Sequence, residues 1–76
     1  MNKARRATLN KIINAIHDLR DELETVHDEE QDAMDNMPES LQDSDRYYAM
    51  EEAVDNMDDA MDGLDDVIDY LESAME

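Results

Sequence analysis

Apolar residues in the second half of the chain recur at alternating spacings of three and four residues. The members of this row are Tyr47, Met50, Val54, Met57, Met61, Leu64, Ile68, Leu71 and Met75. The spacing is typical of a helix that packs lengthwise against another helix, as in a coiled coil. Gly63 should cost such a helix about 1 kcal/mol relative to alanine. Because the row passes Gly63 without a break, we predict one continuous helix over about 44–75.

The first half of the chain follows the same rule. Its row consists of Leu9, Ile12, Ile16, Leu19, Leu23 and Val26. At the same spacing the row continues through Glu30, Ala33 and Met37. Ile13 widens the row. The pattern predicts a first helix over about 3–36 that buries this row against the second helix.

A turn-like segment separates the two rows. Residues 36–40 include the only proline, Pro38, and helices usually end at or before the residue that precedes a proline. Ser44 is a good N-cap for the second helix, with Ser40 as a competitor. We therefore predict a hinge over 37–43. A short connection makes consecutive helices antiparallel neighbours, so the expected fold is an all-α antiparallel two-helix hairpin, coiled-coil-like, with all 76 residues in one domain.

A second row of small or apolar residues flanks the seam of the second helix. It consists of Ala53, Ala60, Val67 and Ala74. Two helices alone bury only one stripe each, and chains this short often need further stabilisation. We expect this row to be the oligomer face, through which two hairpins form a homodimer that is a four-helix bundle.

Two charged residues lie close to the predicted hinge. Glu30 falls on the core row of the first helix, and Arg46 is the only basic residue after position 20. A partly buried Glu30–Arg46 pair would hold the shape of the hairpin. Alternatively, the stripe frays there and both side chains point into water.

The charge of the chain is concentrated in one part. Residues 21–76 hold 22 of the 23 acidic residues and one of the six basic residues, and the net charge is −17. Such a field repels nucleic acid and anionic membrane surfaces, so we expect the chain to bind neither directly. No apolar run reaches membrane-spanning length. Because no apolar region follows the basic start, we expect no signal peptide. The lack of cysteine fits a reducing cytoplasm.

The outer face of the second helix carries a regular row of carboxylates. The predicted partner-binding residues are Glu51, Glu52, Asp55, Asp58, Asp59, Asp62, Asp65, Asp66 and Asp69, and Glu72 and Glu76 continue the row. Eleven charges over 25 residue steps of a helix correspond to one charge per roughly 3.4 Å. A DNA strand carries one phosphate per about 3.4 Å of axis. The row therefore suggests an imitation of nucleic acid, although solvated acidic helix faces are common.

Catalysis and metal binding are disfavoured by the residue types present. The chain lacks cysteine and a glycine-rich phosphate loop, and His17 and His27 are ten residues apart, unlike a helical metal pair. Residues 58–69 place aspartates at four EF-hand positions and Gly63 at the sixth, but position 3 is Ala60. The apolar seam also runs through this segment. We expect no enzyme, no cofactor and no metal site.

The hinge resembles a motif of a known group of proteins. Asp35-Asn36-Met37-Pro38-Glu39-Ser40-Leu41-Gln42, then Ser44, Arg46-Tyr47 and Met50-Glu51-Glu52-Ala53, is similar to the hinge of small acidic helical proteins from phages and prophages of Gram-positive, often gut-dwelling, bacteria. The resemblance covers most of the chain, but only the hinge is distinctive. It implies a phage protein in the cytoplasm of the host cell. The family has no assigned activity, so it implies no catalytic residue.

Together these features favour an inhibitor that imitates nucleic acid. The expected partner is a host nucleic-acid-binding protein, for instance a defence nuclease, whose basic cleft the carboxylates would occupy, giving the phage an anti-defence function. The alternative is a small homo-oligomeric assembly or adaptor protein. It would act through an apolar face of alanines and of the methionines Met50, Met57, Met61 and Met75.

Overall fold

The computed structural model describes residues 1–76 and confirms an all-helical hairpin. Helix α1 spans Lys3–Asp35, a short 3-10 turn spans Glu39–Leu41, and helix α2 spans Asp45–Ala74. The rod measures 59 × 15 × 12 Å, and its radius of gyration is 17.4 Å, against about 11 Å for a compact domain of this length. Neither helix contains a stretch that is both long and apolar enough to pass through a lipid bilayer.

Side-chain caps define where the two helices begin. The Asn2 side chain accepts a hydrogen bond of 2.8 Å from the backbone N–H of Arg5, and the Ser44 hydroxyl accepts one of 3.2 Å from that of Tyr47. Each cap satisfies a backbone donor that lacks a partner within the helix. Ser44, and not Ser40, therefore starts α2.

The open end of the hairpin brings opposite charges together. The Arg6 guanidinium donates a hydrogen bond of 3.1 Å to the backbone carbonyl of Met75. Carbonyl groups at a helix C-terminus carry the negative end of the helix dipole and attract cations. The basic start of α1 thus neutralises the end of α2.

The core row of α2 is the one that the sequence predicts. Val54, Met61 and Ile68 are buried, and the other six members of the row are half-buried. Every third or fourth side chain of α2 therefore faces α1. Gly63 does not interrupt the helix, and a Cβ at this position would meet nothing within 4 Å.

The predicted core row of α1 is wrong by one residue at alternate positions. Ile13 and Met34 are buried, whereas Ile12, Leu19 and Val26 are 42%, 59% and 52% exposed. The row that faces α2 consists of Leu9, Ile13, Ile16, Arg20, Leu23, His27, Glu30, Met34 and Met37, all buried or half-buried. Helix α1 is thus rotated so that charged side chains occupy part of the seam.

The expected pair near the hinge is not formed. Glu30 lies half-buried on the seam and Arg46 is exposed, and the structure contains no ion pair between them. Ion pairs form instead at Arg20 and His27, in the middle of the rod. The rotation of α1 brings these two side chains to the seam beside the carboxylates of α2.

Candidate functional site: an acidic face on α2

The carboxylates of α2 from Glu51 onward lie on one side of the helix, and we call this set the acidic face. Its members are Glu51, Glu52, Asp55, Asp58, Asp59, Asp62, Asp65, Asp66, Asp69, Glu72 and Glu76. None of them shares a heptad position with the alanine row that starts at Ala53. None shares one with the neighbouring row of Ala49, Asn56, Gly63 and Tyr70. Seen down its axis, α2 therefore has a core stripe, an uncharged stripe and an acidic stripe.

The acidic face follows an unbroken helix. Since α2 continues from Asp45 to Ala74, the rise of about 1.5 Å per residue applies along almost all of the row. The row is then about 38 Å long, and its mean spacing of roughly 3.4 Å per charge is kept through Gly63. The regularity on which the nucleic-acid comparison depends is thus a property of the folded chain.

Seven of the nine predicted partner-binding carboxylates make no ion pair within the chain. They are Glu51, Glu52, Asp55, Asp59, Asp62, Asp66 and Asp69, and all seven are exposed. The other two, Asp58 and Asp65, contact side chains of α1. The part of the face that is free to meet a partner is therefore the outer part, away from α1.

Arg20 holds Asp65 through two parallel hydrogen bonds. The Arg20 Nε–Asp65 Oδ1 distance is 2.6 Å and the Nη2–Oδ2 distance is 3.1 Å, and Nη1 also lies 3.3 Å from Glu24 Oε2. This fork geometry is the strong form of an arginine–carboxylate contact. The hydrogen bonding to Asp65 raises the pKa of the Arg20 guanidinium above its usual value, against a smaller opposing effect of burial.

His27 sits between two carboxylates in the seam. Its Nδ1 lies 3.0 Å from Asp28 Oδ1, its Nε2 lies 2.8 Å from Asp58 Oδ1, and the side chain is 14% exposed. The Nε2 atom is buried and does not point at Asp58 in a hydrogen-bonding direction, so this contact is mainly electrostatic. The hydrogen bond with Asp28 is the largest cause of a raised His27 pKa, and the charge of Asp58 adds to it while burial opposes it.

The raised pKa of His27 predicts a loss of stability as the pH rises. The folded chain binds the imidazole proton more tightly than the unfolded chain does. Protonation therefore stabilises the fold fully below the unfolded pKa of about 6.5, and this contribution disappears as the pH rises through the higher folded value. We expect the melting temperature to fall from pH 6 to pH 8. The His27→Gln variant should lose most of this slope, and the His17→Gln variant, altered at an exposed position, should keep it. Equal slopes in the three proteins would contradict the assignment.

Sequence reasoning missed both of these contacts with α2. It considered His27 only as a possible metal ligand and gave Arg20 no role. A usable signal was present, because the row Glu51, Asp58, Asp65 and Glu72 flanks the seam of α2 with an acid in every heptad. Such a row favours cations on the facing helix, and Arg20 and His27 are seven residues apart.

The predicted oligomer face and the methionines of the alternative assembly function lie in different places. Ala60, Val67 and Ala74 are exposed and Ala53 is half-buried, so the alanine row remains open. The methionines behave differently, since Met61 is buried and Met50, Met57 and Met75 are half-buried in the seam with α1. They fill the core of the hairpin and are not part of an outer face.

Residues 58–69 do not form an EF-hand loop, because they are helical throughout. No three histidine, cysteine, aspartate or glutamate side chains of the chain are arranged so that they could hold a metal ion. In such a loop Asp58 would be a metal ligand and Asp65 would lie between ligands. In the structure both side chains contact α1. The acidic residues thus act as separate charges along a rod.

Neither the protein-family models, nor the curated proteins, nor the solved structures gave a match to the chain.

Proposed function

We propose that the protein imitates nucleic acid and inhibits a nucleic-acid-binding protein by occupying its basic cleft. The observation that carries this proposal is the straight row of exposed carboxylates along α2. The hinge resemblance implies a phage origin. The target would then be a host protein, such as a defence nuclease, and binding would take place in the host cytoplasm.

The geometry of the charges supports the proposal. A groove that binds nucleic acid presents lysine and arginine side chains to phosphates that succeed one another along a backbone. The acidic face presents negative groups at about the same axial spacing, on a rod 15 × 12 Å in cross-section.

The distribution of the charges supports it as well. Acidic residues of α2 are confined to one side of the helix, whereas a face that only keeps the chain in solution does not require such confinement. A one-sided field steers association with a surface of opposite charge and orients the encounter. Since Asp58 and Asp65 are held by α1, the partner would meet the other nine carboxylates of the acidic face.

Capture experiments test the proposal directly. The immobilised protein should retain nucleic-acid-binding proteins from a bacterial lysate at low salt, and either high salt or added duplex DNA should release them. Salt release is expected because charges at exposed surfaces are screened within about 10 Å at 0.1 M salt. Retention of proteins that duplex DNA does not displace, or retention of none, would overturn the proposal.

The alternative, an assembly or adaptor protein, predicts a different dependence on the residues. Substitutions on the alanine row, such as Ala60→Glu or Ala53→Glu, would then remove the function together with the oligomer. Changes of the outer carboxylates would matter little. The exposure of Ala60 favours keeping this alternative, but without the methionines, which the core already uses.

A further inference from the structure

Helix α1 has two apolar rows, and the hairpin covers only one of them. The uncovered row contains Ile12, Leu19 and Val26, which are 42%, 59% and 52% exposed, and continues to the exposed Ala33. Single exposed apolar residues are common on proteins. Four at the same heptad position form a continuous stripe, which is the pattern of a helix with a second packing partner.

The uncovered row of α1 lies on the same side of the hairpin as the alanine row of α2. An antiparallel helix pair has an approximate twofold axis perpendicular to the plane of its two helices, so equivalent heptad positions fall on the same side of that plane. The two rows occupy the same heptad position. Ile12 directly precedes the seam residue Ile13, Ala53 directly precedes the seam residue Val54, and both relations repeat every seven residues. Ile13 and Val54 themselves occupy the same position in the heptads of their helices. The Arg20–Asp65 and His27–Asp58 contacts occupy the opposite side.

The pairing of the two helices brings the two rows level with each other. Arg20 is level with Asp65, and seven residues later His27 is level with Asp58. Extending this register puts Leu19 within one residue of Val67, and Val26 within one residue of Ala60. We call the combined surface the apolar flank, and it consists of Ile12, Leu19, Val26, Ala33, Ala53, Ala60, Val67 and Ala74.

The apolar flank is large enough to support a dimer. It extends over 21 residue steps of α1, or about 32 Å. Two helices whose axes are 8–10 Å apart give it a width of roughly 15 Å. Each copy would then bury about 500 Å², and the pair about 1,000 Å², which is the lower bound for a specific interface.

The charges of the chain permit two copies to meet here, although the net charge is −17. The apolar flank contains no acidic residue, and continuing its rows by one heptad towards the helix starts reaches Arg5 in α1 and Arg46 in α2. The acidic face lies on another side of α2. Copies joined through the apolar flank therefore keep their carboxylates in water.

The flank also has complementary halves. Its α1 row is bulky, with Ile12, Leu19 and Val26, and its α2 row is mostly alanine. A twofold axis along the rod places α1 of one copy over α2 of the other, so that bulky side chains lie over small ones. Interdigitation of large and small side chains is what close packing requires.

We infer that the apolar flank is the interface of a homodimer, in which two hairpins form a four-helix bundle with both acidic faces outward. A second copy fits because it brings an uncharged stripe of the same length and the complementary row. The single hairpin buries only five residues, so the dimer also supplies the core that the monomer lacks. This inference does not depend on the proposed function.

The mass in solution tests the inference. The wild-type chain should have twice the 8.8 kDa chain mass by light scattering after gel filtration. The double variant Leu19→Lys with Val26→Lys should have the mass of one chain. A matched control, Asn14→Lys with Thr25→Lys, adds the same charge at exposed positions of α1 outside the flank and should remain a dimer. A wild-type monomer, or equal dissociation of both variants, would overturn the inference.

A second measurement uses the wild type alone, in case the Leu19 and Val26 substitutions unfold the chain. The melting temperature of a dimer rises with protein concentration, because unfolding also separates the copies. We expect a clear rise over about a 100-fold range of concentration, and a constant value would overturn the inference. Added salt should strengthen the dimer by screening the repulsion between copies. It should weaken binding of a basic target, so the dimer and the proposed function can fail separately.

Discussion

Neutralising four outer carboxylates of the acidic face is expected to slow association with a basic target by about 10- to 1000-fold at low salt, the range over which charge steering acts. The substitutions are Asp55→Asn, Asp59→Asn, Asp62→Asn and Asp66→Asn. All four residues are exposed and make no ion pair within the chain. The expected loss therefore reflects the missing charges and not a damaged fold.

The measurement is the association rate with a target captured as described above, recorded at several salt concentrations. The difference in association rate between variant and wild type should shrink as salt rises. Salt screens the attraction of the four carboxylates that the variant lacks. Circular dichroism should show unchanged helix content. Asp58 and Asp65 are left intact, since they pair with His27 and Arg20 and their loss would disturb the hairpin.

A control variant removes the same number of charges from α1. It carries Asp18→Asn, Asp21→Asn, Glu22→Gln and Asp32→Asn, all at exposed positions. If net charge alone drives association, both variants will slow it equally, and the acidic face of α2 then has no special role. A slower rate for the α2 variant only is the result that the proposal requires.

Two adjacent isoleucines are expected to differ sharply in their contribution to stability. Ile13 is 5% exposed and Ile12 is 42% exposed. Ile13→Ala should lower the free energy of unfolding by about 2–5 kcal/mol, because it removes buried methyl groups and leaves a cavity in the seam. Ile12→Ala removes groups that the single hairpin leaves largely in water, so in the monomeric chain its cost should be less than half as large.

Urea denaturation of the two variants, at a protein concentration low enough for the chain to be monomeric, measures this difference. The pair is a matched control in itself, since the residue type, the replacement and the helix are the same. A larger cost for Ile12→Ala would mean that α1 is turned towards the row that the sequence pattern favours, and that Arg20 and His27 do not lie in the seam.

The contrast between these isoleucines also shows how far the sequence determines the fold. The core row of α2 is unambiguous, because all nine positions at the seam spacing are apolar and the flanking positions are small or acidic. For α1, two rows with the same spacing differ by one residue at four positions. They share the other five, which are Leu9, Ile16, Leu23, Glu30 and Met37. Spacing alone cannot choose between them.

Apolarity favours the wrong row of α1. The row through Ile12, Leu19 and Val26 is more apolar than the row through Ile13, Arg20 and His27. In the structure the second row faces α2, and Arg20 and His27 meet Asp65 and Asp58 across the seam. A cross-helix contact of this kind depends on pairing and register, which a reading of each helix by itself does not include.

The candidate site was more predictable than the core of α1. A stripe of carboxylates on an amphipathic helix follows from periodicity once the seam of that helix is known, so the position of the acidic face could be predicted in full. What could not be predicted is which carboxylates of that face contact α1, namely Asp58 and Asp65, and which remain free. That division follows from the rotation of α1.

The ion pairs in the middle of the rod have one more consequence, which concerns how the two helices find their alignment. The acids that flank the seam of α2, namely Glu51, Asp58, Asp65 and Glu72, recur every seven residues. If α1 slid by one heptad in either direction, Arg20 and His27 would still meet carboxylates, and apolar layers would still meet apolar layers. The helices themselves therefore accept several alignments, and it is the short connection between Asp35 and Asp45, closed by the Ser44 cap, that selects one.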